Sequence, residues 1–195
     1  HQPVVLAKEV ATIDWFSEGR LELGLGAGWV RSEYEAMGIP MLSPGKRINK
    51  MVETLDLIRQ HYSGEQIELQ GEHLQISGFS GVPSTHSVPP VMIGGGAKRV
   101  LGIAGREADI VSINFNNSAG KIGPEGVGSG TSAGTLQKIE WIKDGAGERF
   151  KDIEIEIAAY FTVVTDHADA VANDFAKLFG LTPEEILNHP HCLIG

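Results

Sequence analysis

Val91-Met92-Ile93-Gly94-Gly95-Gly96-Ala97-Lys98-Arg99-Val100-Leu101, with Ile110-Val111-Ser112-Ile113 a helix length later, is the stretch that decides the fold. Val91–Ile93 reads as a short buried strand, three glycines close it, residues 97–107 continue as a helix, and 110–113 form a second strand ending on Asn114. Strand, glycine turn, helix and strand in that order is the unit of a parallel sheet with helical crossovers.

Working outward toward the N-terminus, residues 3–17 predict a helix. Pro3 suits its first turn, and Leu6, Val10, Ile13 and Phe16 form the apolar stripe. Leu21, Leu23 and Leu25 then alternate with Glu22, Gly24 and Gly26, a strand pattern that would bury the Glu22 charge if its face is a barrel interior. Ser43-Pro44-Gly45 starts a helix over 46–62 carrying Ile48, Val52, Leu55, Ile58 and Tyr62, and 66–77 alternate about Gln70-Gly71 as a hairpin. Toward the C-terminus, Gly120, Gly123, Gly126, Gly128 and Gly130 mark 116–134 as a flexible loop of lid-like length. A helix over 135–149, a strand over 153–164, a helix over 167–179 and a short helix from Pro183 complete the chain, which ends on Leu193-Ile194-Gly195 with no closing helix or strand expected. This α/β alternation has only four core strands and opens on a helix. It fits one (β/α)8 TIM barrel domain of ~250 residues or more, seen as a fragment lacking the N-terminal strands and the last strand.

The chain of 195 residues has 16 Lys and Arg against 25 Asp and Glu, a net charge of −9. So acidic a chain lacks the footprint of a nucleic-acid binder, and no apolar run approaches the ~20 residues of a membrane span. Cys192 is the single cysteine, which removes a disulfide framework, and the start His1-Gln2-Pro3 is not that of a signal peptide. A cytoplasmic protein is expected.

Two glycine runs carry chemical information, both at strand ends, where α/β proteins place ligands. Gly24-Leu25-Gly26-Ala27-Gly28-Trp29 lets a flat ligand approach bare backbone with Trp29 as a wall, or is a tight strand exit with a packing tryptophan. Gly94-Gly95-Gly96-Ala97-Lys98-Arg99 opens a helix whose free amides and dipole suit a phosphate, or is a glycine turn beside solvated basic residues. Neither run is a Walker loop or a Rossmann fingerprint. His189-Pro190-His191-Cys192 matches no zinc spacing, so no metal is assigned. His61, His73 and His86 read as surface residues, and Lys46, Arg47 and Lys50 as a solvated helix face.

Taken in order, Pro3-Val4-Val5-Leu6-Ala7-Lys8-Glu9, Ser17-Glu18-Gly19-Arg20-Leu21-Glu22-Leu23-Gly24-Leu25-Gly26-Ala27-Gly28-Trp29, Glu33-Tyr34, Pro90–Gly96 and Ala108-Asp109-Ile110-Val111 resemble the luciferase-like monooxygenase superfamily, in particular its mycobacterial and actinobacterial branch that uses the deazaflavin coenzyme F-420. The resemblance implies a bacterial luciferase-like barrel with a flavin or deazaflavin at its C-terminal mouth. By position, the amides of Gly95, Gly96, Ala97 and Lys98 would hold the cofactor phosphate, and Gly94 is a further cofactor-binding position. Gly26, Ala27 and Gly28 would border the ring and ribityl chain, with Trp29 and Ser32 nearby. It further implies hydride transfer between coenzyme F-420 and a small organic substrate, and a homodimer at full length. The alternatives are an FMN-dependent monooxygenase acting on paired donors with incorporation of molecular oxygen, and a non-catalytic flavin-binding protein. No catalytic residue is assigned, because the resemblance places it in the N-terminal part.

Overall fold

A computed structural model describes residues 1–81 and 87–195. In chain order its elements are α1 (Pro3–Ser17), β1 (Leu23–Leu25), α2 (Arg31–Ala36), α3 (Pro44–Ser63), β2 (Ile67–Gln70), β3 (Gln75–Phe79), β4 (Val91–Gly95), α4 (Lys98–Glu107) and β5 (Ile110–Ile113). Then follow α5 (Pro124–Gly128), α6 (Ser132–Ala146), a 3-10 turn over Gly147–Asp152, β6 (Glu154–Ile157), β7 (Phe161–Val163), α7 (Ala168–Phe179), α8 (Pro183–Leu187) and β8 (Cys192–Ile194). The chain divides into two compact units, residues 1–28 with 38–91 and residues 29–37 with 92–195. No helix among the described residues is long and apolar enough to cross a membrane.

In the first unit α1 packs on α3 around Ala7, Val10, Leu57, Ile58 and Tyr62, with Leu23 and Ile67 closing the cluster. The inward face of α1 differs from the expected stripe. Pro3, Ala7, Val10 and Asp14 are buried, while Ile13 and Phe16 are 54% and 73% exposed. On that face the buried Tyr62 hydroxyl donates to Asp14 Oδ2 at 3.2 Å, which satisfies the buried carboxylate beside Ala7 and Val10. β1 is tied to the chain ahead of β4, since Leu23 N–H donates to the Pro90 carbonyl at 2.9 Å. Glu22 is exposed, so it is not the buried charge an interior face would have made it. The expected hairpin is β2 with β3, antiparallel, and Glu53 of α3 holds its turn by accepting from the amides of Glu72, His73 and Leu74 at 2.8–2.9 Å.

His61 corrects its surface reading. It is buried on α3, and neither ring nitrogen has a hydrogen-bond partner among the described residues. Burial, and secondly the Lys8 ammonium, push its pKa down, so the ring is neutral at physiological pH. His86 lies outside the described residues.

In the second unit β4, β5 and β6 pair in parallel, with Gly94, Ser112 and Glu156 in one register row. α4 and α6 cross backbone to backbone: a Cβ on Gly145 would stand 2.1 Å from the Gly102 carbonyl oxygen, and one on Gly105 2.3 Å from that of Ile142. Several boundaries depart from expectation. The glycine-rich stretch 116–134 contains α5, and α6 starts at Ser132 because Thr131 caps it, accepting from Gly134 N–H at 3.3 Å. The single strand expected over 153–164 is two: β6 pairs with β5 and β7 pairs with β8. β8 also corrects the expectation that no strand closes the chain. It forms because His189-Pro190-His191 turns the chain back beside β7, where Phe161 N–H donates to the His191 carbonyl at 3.1 Å.

Candidate cofactor site

Each glycine run is built from its own unit. In the first, β1 delivers Gly24, Gly26, Ala27 and Gly28. An ideal Cβ on Gly24 or Gly26 would meet no heavy atom within 4 Å, so the backbone there borders open space. Gly28 is glycine for its conformation, with φ of 72°, and its carbonyl accepts from Arg47 Nε at 3.1 Å. Arg47 also donates to the Leu42 carbonyl, so it is a strap on the strand exit rather than part of a solvated face.

In the second unit, Trp29 is half-buried and Ser32 exposed on α2, whose first amide, Arg31 N–H, donates to the Gly120 carbonyl at 3.3 Å. Gly94 and Gly95 belong to β4, and Gly96-Ala97 lead into α4. Close packing already demands two of these glycines. A Cβ on Gly95 would lie 2.3 Å from Val100 Cγ1, and one on Gly96 2.2 Å from the Phe115 carbonyl oxygen. Their absent side chains therefore serve the strand–helix joint, whatever else they admit. Ala97 stands at the N-cap in extended conformation (φ −112°, ψ 151°) and supplies no side-chain cap. The first-turn amides of Lys98, Arg99 and Val100 accordingly lack a capping side chain, and the positive end of the helix dipole stands with them. That donor set fits a phosphate.

Beside this joint lies a polar set that sequence reading missed. Asn114 N–H donates to the Gly95 carbonyl at 2.8 Å, and its Nδ2 donates to the Ser112 carbonyl and Oγ at 3.2 and 3.3 Å. The Tyr160 hydroxyl donates to Asn114 Oδ1. Tyr160 is half-exposed, and partial burial with Glu156 nearby pushes its pKa up, so the phenol keeps its proton. Lys138 is 2% exposed and donates to the Asn114 carbonyl at 2.8 Å; burial pulls its pKa down to about 8. On α6 its sequence context is that of an ordinary surface lysine, and no local signal marks its burial. Asn114, by contrast, was visible as the residue that ends a strand.

The tail histidines are structural. His189 Nε2–H donates to the Val127 carbonyl at 3.0 Å, and His191 Nδ1–H to the Ala158 carbonyl at 2.8 Å. Both rings pack on Phe115, with centroids 6.0 and 4.5 Å away.

A family model described as luciferase-like monooxygenase matches residues 1–189. The chain belongs to that family. It is 28% identical over 119 residues to the FMNH(2)-dependent dimethylsulfone monooxygenase of Pseudomonas fluorescens, a match that covers 61% of this chain and 33% of the relative. Among solved structures it resembles the coenzyme F420 dependent tetrahydromethanopterin reductase of Methanopyrus kandleri, with a TM-score of 0.64 and 20% identity, covering 94% of this chain and 57% of that one. It also resembles an F420-dependent secondary alcohol dehydrogenase in complex with an F420-acetone adduct, with a TM-score of 0.66 and 18% identity over 98% and 56% of the two chains. The chain thus spans about a third of the curated relative and just over half of these structures. Its α/β fold with a parallel sheet is that of the luciferase-like barrels. The expected fold class stands.

Proposed function

We propose that this chain is part of an oxidoreductase that binds a phosphate-bearing flavin or deazaflavin and transfers hydride between coenzyme F-420 and a small organic substrate. The observation that carries the reading is the uncapped first turn of α4, where the amides of Lys98, Arg99 and Val100 follow a glycine joint at the end of β4. The cofactor supplies a ring that accepts or gives hydride. The chain's own part is to hold and orient. Gly95, Gly96, Ala97 and Lys98 carry the backbone that would meet the phosphate. Gly26, Ala27 and Gly28 leave backbone bare for a ring, and Trp29 and Ser32 are the further cofactor-binding residues of this reading. The Tyr160 hydroxyl, its proton given to Asn114 Oδ1, keeps lone pairs that would accept a hydrogen bond from a substrate donor. A second reading, an FMN-dependent monooxygenase, is favoured by the named activity of the Pseudomonas fluorescens relative.

Titration of the full-length protein with FMN and with coenzyme F-420, followed by ring absorbance, separates the two. Ala97→Asp tests the phosphate site itself. An aspartate at that N-cap would offer its own carboxylate to the first-turn amides and raise helix stability by about 1 kcal/mol. The same carboxylate should lower cofactor affinity by about tenfold or more, through lost amide bonds and like charge. Unchanged affinity in a variant that melts higher places the phosphate elsewhere.

A further inference from the structure

Asn114 is held on every side, and its contacts fix the direction of each hydrogen bond it makes. Its N–H donates to the Gly95 carbonyl at 2.8 Å, and its own carbonyl accepts from the buried Lys138 ammonium at 2.8 Å. Its Nδ2 faces the Ser112 carbonyl at 3.2 Å, and a Cβ on Gly94 would stand 3.2 Å from that same nitrogen. A carbonyl can only accept, so the side-chain amide must turn its NH2 toward Ser112 and its Oδ1 away. Oδ1 also can only accept, and its partner is the Tyr160 hydroxyl. The phenol proton is therefore committed inward, and the Tyr160 oxygen presents lone pairs alone.

The place is one where a ligand can reach that oxygen. Tyr160 is 49% exposed and lies three residues past the end of β6, as Asn114 directly follows β5 and Gly95 ends β4. All three stand at carboxyl ends of parallel strands, where α/β sheets take their ligands. β5 separates β4 from β6, so Tyr160 is set off by about 10 Å of sheet from the strand that leads into α4. Glu156, the register partner of Ser112 on β6, lies near enough for its charge to act on the phenol. The carboxylate is a second acceptor beside the first.

We infer that Tyr160 selects the substrate by hydrogen-bond polarity: the group it meets is a hydroxyl, which donates to the phenol oxygen, and not a carbonyl, whose lone pairs would face lone pairs. Asn114 is the positioning residue and acts only through Tyr160. The inference rests on the hydride-transfer reading above and names its substrate class, an alcohol. Oxidation of such a substrate moves a hydride from the carbinol carbon to the oxidised cofactor ring and releases the hydroxyl proton to water, leaving a carbonyl. That product has lost its donor, and with it the hold of Tyr160.

The test uses the full-length protein, with and without FMN or coenzyme F-420, and two probes of one shape, cyclohexanol and cyclohexanone. Affinity is read from the NMR signals of the probes, and tyrosine labelled at Cζ locates the binding at Tyr160. Cyclohexanol should bind about fivefold tighter than cyclohexanone or more. Asn114→Leu frees the phenol proton to donate to a carbonyl, so the preference should shrink to within about twofold. A residue that only supported the fold would weaken both probes alike. Tyr160→Phe, at a half-exposed position that tolerates the loss, should abolish the preference whether or not the Asn114 variant folds. Equal binding of the two probes, tighter binding of cyclohexanone, no response at Tyr160, or a preference that survives Tyr160→Phe overturns the inference while leaving the cofactor reading intact. If the preference holds but neither FMN nor coenzyme F-420 binds, the cofactor reading fails and the selectivity of Tyr160 stands without it.

Discussion

The two glycine runs look alike in sequence and are glycine for opposite reasons. At Gly24 and Gly26 a Cβ would meet nothing within 4 Å, whereas at Gly95 and Gly96 it would collide with Val100 and with the Phe115 backbone. The first run leaves surface bare; the second lets a strand end, a helix start and the neighbouring strand end come into contact. A missing side chain is thus evidence for a ligand only where something else could have stood in its place. The ligand argument at the second run accordingly rests on the uncapped amides of α4 and not on the glycines.

Substitution separates the two cases, and the largest effect belongs to the packed run. Gly96→Ala puts a methyl 2.2 Å from a backbone carbonyl oxygen that cannot swing aside. We expect a loss of about 3 kcal/mol or more in stability, at the upper end of overpacking costs. Chemical denaturation measures it, and a loss under about 1 kcal/mol would show the joint to be soft.

The lysine beneath that joint gives a pH signature. Lys138 has a pKa of about 8 against 10.5 for a free lysine, because burial disfavours its charge. The unfolded chain therefore binds more protons between those values, and stability rises with pH from about 8 to about 10.5. The rise should be about 3 kcal/mol. Lys138→Met should flatten this segment of the stability–pH curve, and a slope that persists would place its origin in another group.

The smallest effects belong to the open run. Gly28→Ala forces a side chain into left-handed backbone at φ 72° and should cost about 1 kcal/mol. Gly26→Ala should leave the melting temperature nearly unchanged, yet weaken FMN or F-420 binding, since in the proposed reading its methyl would enter the space of the ring. Equal cofactor affinity in Gly26→Ala and parent would mean that the bare backbone borders solvent alone.

The alternation of strands and helices was legible because periodicity is local: Val91–Ile93, Ile110–Ile113 and the apolar turns of α4 announce themselves within a few residues. So were the two glycine runs and the strand end at Asn114. The face that α1 buries was not, since it packs on α3, where Tyr62 meets Asp14, a contact 48 positions away in the chain. The burial of His61 and Lys138 was equally hidden, because a titratable side chain on a helix reads as solvated until its neighbours are known. The division of 153–164 into β6 and β7 was decided by which strands came to lie beside each half. Sequence by itself determined the alternation of the main strands and helices from β4 to α6 and the family to which the chain belongs. Tertiary structure alone decided which glycines are filled space and which are open, because that difference lies in atoms brought near by folding and not in the glycine itself.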